Sequence, residues 1–410
     1  MEMNYLLLIK NCNLIDMAGT FQQPRDLLIE GTKVKEIAEH IPEQDGWEVI
    51  DAAGRLVTPG IIDPHSHLGV SGTGNMEEND TNEMTSPVTP GLRGIDAIDP
   101  SDPAFGAALR TGVTTIVTGP GSANLIGGTF AAVKTVSGEN PNLTIEECTL
   151  KEEAVMKMAL GENPKFAYGK RNKQPATRMM SAAMLREQLM KAKEYHEKWD
   201  EYQKKTAAGE ETKPFEYDMA MHSLMRVFDG MNCKIHCHHA VDAMTAIRIA
   251  EEFGLRYTLE HFSDCYLLVD EIKKHNCRVT IGPLFYGKNK LESHRKSLKS
   301  AGILEQNGVL FSVMTDCGVI PVEALLIQMA LLIKNGLSWE GALRAITINA
   351  AKLNDIDDRV GSLEPGKDAD VVIWNVEPFA TMSEAGVVII DGKVRYTKKE
   401  GEPETDYIGL

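Results

Sequence analysis

Two histidines one residue apart, His65 and His67, close the apolar stretch Leu56-Val57-Thr58-Pro59-Gly60-Ile61-Ile62-Asp63-Pro64. Residues two apart on a strand project from the same side. The pair can therefore aim two imidazoles at one point, which is what a divalent metal requires. A single His-x-His arises readily by chance and carries little by itself. Further groups follow at comparable places downstream: His236 in Lys234-Ile235-His236-Cys237-His238-His239, His261 after Thr258-Leu259-Glu260, and Asp316 after Phe311-Ser312-Val313-Met314-Thr315. Singly, His261 also reads as a bonded core histidine and Asp316 as a helix N-cap. Together at strand ends they read as a convergent metal cluster. Alternation puts His236 and His238 on one face and His239 opposite, and a compact zinc knot using Cys237 is a competing arrangement.

The elements that must position these groups are short β-rich runs alternating with helical patterns. Strands are expected at 57–63, 113–118, 130–136, 154–158, 234–236, 256–260, 278–281 and 310–315. Amphipathic stretches lie between several of them, as at 240–253 and 321–335. Eight strands in such alternation predict an α/β fold, a (β/α)8 TIM barrel, whose active site lies at the carboxyl ends of the strands. Both chain ends carry short strands that are too few for a domain apiece. They are expected to form one small β-sandwich from 1–58 and 360–410, with the barrel over 59–359. The charged stretch 181–213 reads as a solvated helix.

Composition narrows the classes. The chain has 410 residues, 43% hydrophobic and 25% charged, with a formal net charge of −16, which argues against nucleic-acid or anionic-membrane partners. No apolar run reaches the length of a membrane span, and the start lacks the basic and apolar regions of a signal peptide. The cysteines, at 12, 148, 233, 237, 265, 277 and 317, are odd in number and lack paired spacing, as expected of reduced thiols in the cytoplasm.

The chain resembles the amidohydrolase superfamily, in particular its imidazolonepropionase-like and dipeptidase-like members. The residues that carry the resemblance are 59–67, His236, Glu260-His261, Thr315-Asp316 and the stretch 361–370, which looks like the family's entry into its carboxyl-terminal strands. The resemblance implies that His65, His67 and Asp316 hold the more buried metal, and His236 and His261 a second. It implies too that a carboxylated lysine at the fourth strand end, formed with carbon dioxide, bridges two ions. Lys157, flanked by apolar residues, fits that place, and a depressed pKa there would favour carboxylation. Lys134 is the alternative. His238 then becomes a substrate or supporting group. Zinc is the expected ion, though manganese, iron or cobalt suit the same donors. Asp316 would serve as general base and then acid toward a leaving nitrogen, while Glu260 would orient ligands. The expected reaction is hydrolysis of an amide, cyclic amide or dipeptide-like bond. A one-metal deaminase or imidazolone-type hydrolase is the alternative, and a metal-stabilised barrel without catalysis is a third. A homo-oligomer is a family-level expectation.

Specificity is expected from loops. Residues 163–178 are basic, with Tyr168 and Arg178 the preferred contacts for a substrate carboxylate. The glycine-rich run 119–128 lacks the Lys-Ser/Thr of a phosphate loop and reads as a turn lining the site. The polar segment 71–90 reads as a lid or specificity element.

Overall fold

The computed structural model describes residues 5–19, 22–72, 79–136, 143–285, 287 and 290–398. Strands β1 (Leu6–Leu14), β2 (Gln23–Glu30), β3 (Lys33–Ala38), β4 (Glu48–Asp51) and β5 (Leu56–Pro59) precede the barrel strands. Those are β6 (Ile61–Ser66), β7 (Val113–Thr118), β8 (Ile126–Lys134), β9 (Thr149–Ala159), β10 (Asn232–Cys237), β11 (Tyr257–His261), β12 (Arg278–Ile281) and β13 (Phe311–Val313). β14 (Val371–Val376), β15 (Glu384–Ile390) and β16 (Lys393–Thr397) end the described chain.

The barrel sheet runs β13-β12-β11-β10-β9-β8-β7-β6. It nearly closes where the amide of Asp316 donates to the His65 carbonyl at 3.1 Å. Most of its strands are buried along their length, as the six residues Val113–Thr118 illustrate, whereas β9 is buried only over its second half; such burial is usual where helices cover a sheet. The terminal strands form a second path, β16-β15-β14-β5-β1-β2-β3, with β4 paired to β1. Side chains from both chain ends, including Leu7, Ile29, Val57, Val371 and Ile389, merge in one apolar cluster, the core of the sandwich.

Two sequence expectations change. The run 57–63 is not one strand: Val57 and Pro59 pair with β14, whereas Ile61 pairs with β7. Gly60 is the joint, and a Cβ there would collide with the Thr114 side chain. An apolar run that passes from one sheet to another keeps its character, so hydropathy cannot mark the change. In addition, β8 runs antiparallel to both β7 and β9. The barrel is therefore not an uninterrupted β/α alternation. The connection 119–125 is shorter than the dozen or so residues a parallel crossover needs.

The reversal relocates Lys134. Its end of β8 lies at the end of the barrel opposite His65, where the ammonium meets Asp368 at 2.8 Å, Asp370 at 2.8 Å and Asp391 at 2.9 Å. Burial works against that charge, but the three carboxylates overcome it and hold the ammonium above its usual range. Lys134 is thus a clasp between barrel and terminal sheet, and it is removed from the candidate ligands.

The charged stretch forms the helix Arg178–Ala207, which buries Leu185, Leu189 and Ala192 on one side. No described helix is long and apolar enough to cross a membrane.

Candidate metal centre

His65 is the penultimate residue of β6 and His67 follows the strand, and each ring is fixed through Nδ1. His65 Nδ1 lies 2.6 Å from Glu260 Oε2 and His67 Nδ1 2.7 Å from the Gly119 carbonyl. Glu260, fully buried, also accepts from Lys234 Nζ at 3.2 Å. A carboxylate behind an imidazole fixes its tautomer and raises its basicity toward a metal. Both rings are left with Nε2 toward the interior.

β10 and β11 repeat the device. His236 Nδ1 pairs with Ser122 Oγ at 2.9 Å, His238 Nδ1 with Ser263 Oγ at 2.8 Å, and His261 Nδ1 with the Gly282 carbonyl at 2.9 Å. The Asn163 amide has its orientation set by Lys290, which donates to Oδ1 at 2.7 Å. Its Nδ2 therefore faces His236 Nε2, 3.3 Å away, and that nitrogen presents a lone pair. Glu260 and His261 are consecutive and by strand alternation should face opposite ways. His261 adopts φ +69° and Asp316 φ +56°, left-handed conformations uncommon outside glycine, which Asp and His adopt more readily than most residues. The turn at His261 brings its imidazole to the same centre that Glu260 supports.

Lys157 on β9 is buried with its Nζ 2.9 Å from His65 Nε2 and 5.4 Å from the centre of the Phe130 ring. Burial draws its ammonium down to about 8, which raises the share of neutral amine. Burial also holds His65, His236 and His261 well below the ordinary imidazole value, and His238 at about 4. The imidazoles are therefore neutral near pH 7, with lone pairs to donate.

Among the histidines of this centre, Lys157 and Asp316, two buried atoms have no hydrogen-bond partner, His261 Nε2 and Asp316 Oδ1. Asp316 Oδ1 stands 3.1 Å from His67 Nε2, 3.8 Å from His65 Nε2 and 4.0 Å from His261 Nε2. Two donors about 2.0–2.2 Å from one ion can be at most about 4.4 Å apart, so this set fits a divalent cation. His65, His261 and Asp316 form one such group, and His236, His238 and His261 another. Cys237 is not part of either. It faces the apolar core, where burial pushes its thiol well up, so the knot arrangement is discarded.

A cavity of about 340 Å³ opens over these groups. Asn79, Thr81 and Asn82 wall it from the segment after β6, and Gly121 and Ser122 from the glycine-rich turn. Residues 73–78 of the polar segment lie outside the described residues. His238 lines the cavity; Tyr168 and Arg178 do not. Tyr168 is buried, its hydroxyl donating to the Ser86 carbonyl at 2.6 Å and to the Asn124 side chain. Arg178 spends its guanidinium on Asp242, at 2.8 and 3.0 Å. Tyr168 and Arg178 are thus corrected from substrate contacts to scaffold. The cavity's own cations are Lys290 and Lys296, from the segment after β12. The sequence reading missed them although Lys288, Lys290, Arg295 and Lys296 form a basic run of the same kind as 163–178. Lys234 was missed too, although it stands two residues before His236 and so shares its face.

Comparison with known proteins places these features in context. A model of the amidohydrolase family matches residues 56–395. Amidohydrolase tasK of Hapsidospora irregularis is 27% identical over 392 residues, covering 90% of this chain and 40% of that protein. A dihydroorotase of Streptococcus thermophilus is 37% identical over 81 residues, 20% of this chain and 19% of its own length. The matches thus span less than half the length of these curated relatives. The crystal structure of an amidohydrolase from Thermotoga maritima MSB8 is 36% identical, with a TM-score of 0.89, over 96% of this chain and all of that one. A β-aspartyl dipeptidase from Fervidobacterium islandicum AW-1 shares the fold at 16% identity and a TM-score of 0.58, over 96% of this chain and 97% of that one.

Proposed function

Since the chain belongs to the amidohydrolase family, we propose that it is a metal-dependent hydrolase of a C–N bond in a small amide, cyclic amide or dipeptide-like substrate bearing a carboxylate. His65, His67 and Asp316 would hold one ion and His236 and His261 a second, and Lys157, once carboxylated by carbon dioxide, would supply a ligand to both. The observation that carries this reading is the pair of buried, unpartnered atoms, His261 Nε2 and Asp316 Oδ1, beside three other neutral imidazoles and a buried lysine of lowered pKa. Zinc suits the imidazole-rich donors best.

When bound, divalent ions lower the pKa of a coordinated water and polarise the scissile carbonyl. The remaining work falls to side chains. Asp316 is the carboxylate of the set that reaches the cavity, so it takes the proton of the attacking water and returns it to the leaving nitrogen. Glu260, with no access to the cavity, keeps His65 oriented. Lys290 and Lys296 attract the substrate carboxylate, and His238 borders the same space. Residues 1–58 and 360–410 act as a supporting unit clasped to the barrel over 59–359. The seven cysteines are all buried and unpaired, which supports a reducing, cytoplasmic setting.

The test is a screen of N-acyl amino acids, cyclic amides and dipeptides with zinc- and bicarbonate-supplied protein, alongside Asp316→Asn. Turnover by the native chain, lost in Asp316→Asn with the circular dichroism spectrum retained, supports the assignment. Equal turnover in both proteins removes Asp316 from the reaction.

A further inference from the structure

The segment after β12 delivers one more acid to the centre. Glu292 lies in a short 3-10 turn, Leu291–Ser293, and its side chain is wholly buried. One oxygen, Oε2, accepts the backbone N–H of Glu162 at 2.8 Å. The other, Oε1, is buried without a hydrogen-bond partner and stands 3.9 Å from His236 Nε2. The chain makes room for this carboxylate at Gly161, where a Cβ would lie 2.6 Å from Oε2. Among the described residues no lysine or arginine pairs with it. Lys290 directs its ammonium to Asn163 Oδ1 and the cavity, and Arg178 is held by Asp242. An ionised carboxylate oxygen left bare in the interior is strongly disfavoured unless a cation comes to it.

Three atoms at this centre are buried and unpartnered, His261 Nε2, Asp316 Oδ1 and Glu292 Oε1, and the two carboxylate oxygens each stand within 4 Å of a ligating Nε2, Asp316 Oδ1 at 3.1 Å from that of His67 and Glu292 Oε1 at 3.9 Å from that of His236. The 3.9 Å separation from His236 Nε2 is within the span of two donors on one ion. We propose that Glu292 is a protein ligand of the ion held by His236, a carboxylate oxygen supplied from the segment after β12. The centre then has acidic ligands on both sides, Asp316 at the His65–His67 ion and Glu292 at the His236 ion. This rests on the two-metal reading above.

Glu292→Gln isolates the point, because the amide oxygen of glutamine can still accept the Glu162 N–H. Zinc per chain is measured by elemental analysis after dialysis against graded chelator, for the native chain, Glu292→Gln, His236→Ala and the double variant. Melting temperatures are taken on the metal-free proteins, and visible spectra on the cobalt-loaded ones. The expected result is that Glu292→Gln releases one of two ions at a chelator strength at least about tenfold lower than the native chain tolerates. The metal-free melting temperature is unchanged, the cobalt bands change, and the double variant retains no less zinc than His236→Ala alone. Equal retention of both ions by Glu292→Gln and the native chain, with identical cobalt spectra, overturns the proposal. So does a fall in the metal-free melting temperature with both ions lost together, which marks a structural role only. A native chain that holds no metal overturns this proposal and the two-metal reading alike, whereas retention of both ions in Glu292→Gln leaves that reading standing.

Discussion

Lys134 and Lys157 are buried lysines on neighbouring strands that face opposite ends of the barrel, and substituting each by methionine should have opposite consequences. At the clasp, Arg359 still holds Asp368 at 2.7 and 2.8 Å when the Lys134 ammonium is gone. Asp370 keeps only the N–H of Asp391, at 3.0 Å. Unit charges 2.8 Å apart attract by about 6 kcal/mol at an effective dielectric near 20, but mutual repulsion of the carboxylates and desolvation reduce the net. Breaking a buried pair costs about 3–5 kcal/mol. Asp370 can also escape by taking up a proton, and protonating an ordinary carboxyl at pH 7 costs about 4 kcal/mol. Lys134→Met should therefore lower unfolding free energy by about 3–4 kcal/mol at pH 7. The sign with pH follows. Burial already raises the Asp370 carboxyl, and without Lys134 it rises further, so the deficit is largest above that folded value. It shrinks by about 1.4 kcal/mol per unit as pH falls toward the unfolded value near 4. In the native chain burial opposes ionisation of Asp368, but Arg359 and Lys134 outweigh it and hold the carboxyl below its usual range. That contribution is present above the unfolded value and is lost as pH drops through the folded one. Urea unfolding at pH 7 and pH 5, followed by circular dichroism, reads both effects. Metal content should be unaffected in Lys134→Met. A deficit under about 1 kcal/mol, or one that grows on acidification, refutes the clasp argument.

Three further outcomes follow from the site. Lys290→Met should raise KM for a carboxylate-bearing substrate by about 10–100-fold, the loss of one charged contact, whereas Arg178→Ala should leave KM within about twofold, since its charge belongs to Asp242; steady-state kinetics separate them. Tyr168→Phe should cost about 1–2 kcal/mol in unfolding free energy by taking the hydroxyl donor from the Ser86 carbonyl and Asn124 Oδ1, with kcat preserved. His65→Asn should abolish retention of the ion it shares with His67 while the metal-free protein keeps its circular dichroism spectrum, because Glu260 retains Lys234 at 3.2 Å.

Much of the centre was legible because its signal is periodic. His65 and His67, and likewise His236 and His238, stand two apart at the ends of apolar runs, and the fold gathers all four with His261 and Asp316, His65 fully buried and the others lining one cavity. The place of Lys157 came from resemblance, and its position against His65 depends on the pairing of β9 with β10, which one strand's sequence does not specify. Strand direction was less legible. β8 has the β-rich character of its neighbours, and only the short connection after β7 distinguishes a hairpin from a crossover. Reading Lys134 as a site residue followed from that missed reversal. The loop contacts were misjudged for another reason. Tyr168 and Arg178 have the chemistry of a carboxylate clamp, but their partners, Ser86 and Asp242, are remote in sequence and claim both side chains. Glu292 gave no local signal, since its meaning lies in Gly161, Glu162 and His236.

The most direct measurement is elemental analysis of metal per chain on protein purified without chelators and supplied with bicarbonate, with Lys157→Met in parallel. Two divalent ions per native chain, reduced in Lys157→Met while the metal-free melting temperature stays the same, is the predicted result. No bound metal in the native chain, or one ion unaltered by Lys157→Met, would contradict a lysine-bridged pair at the strand ends.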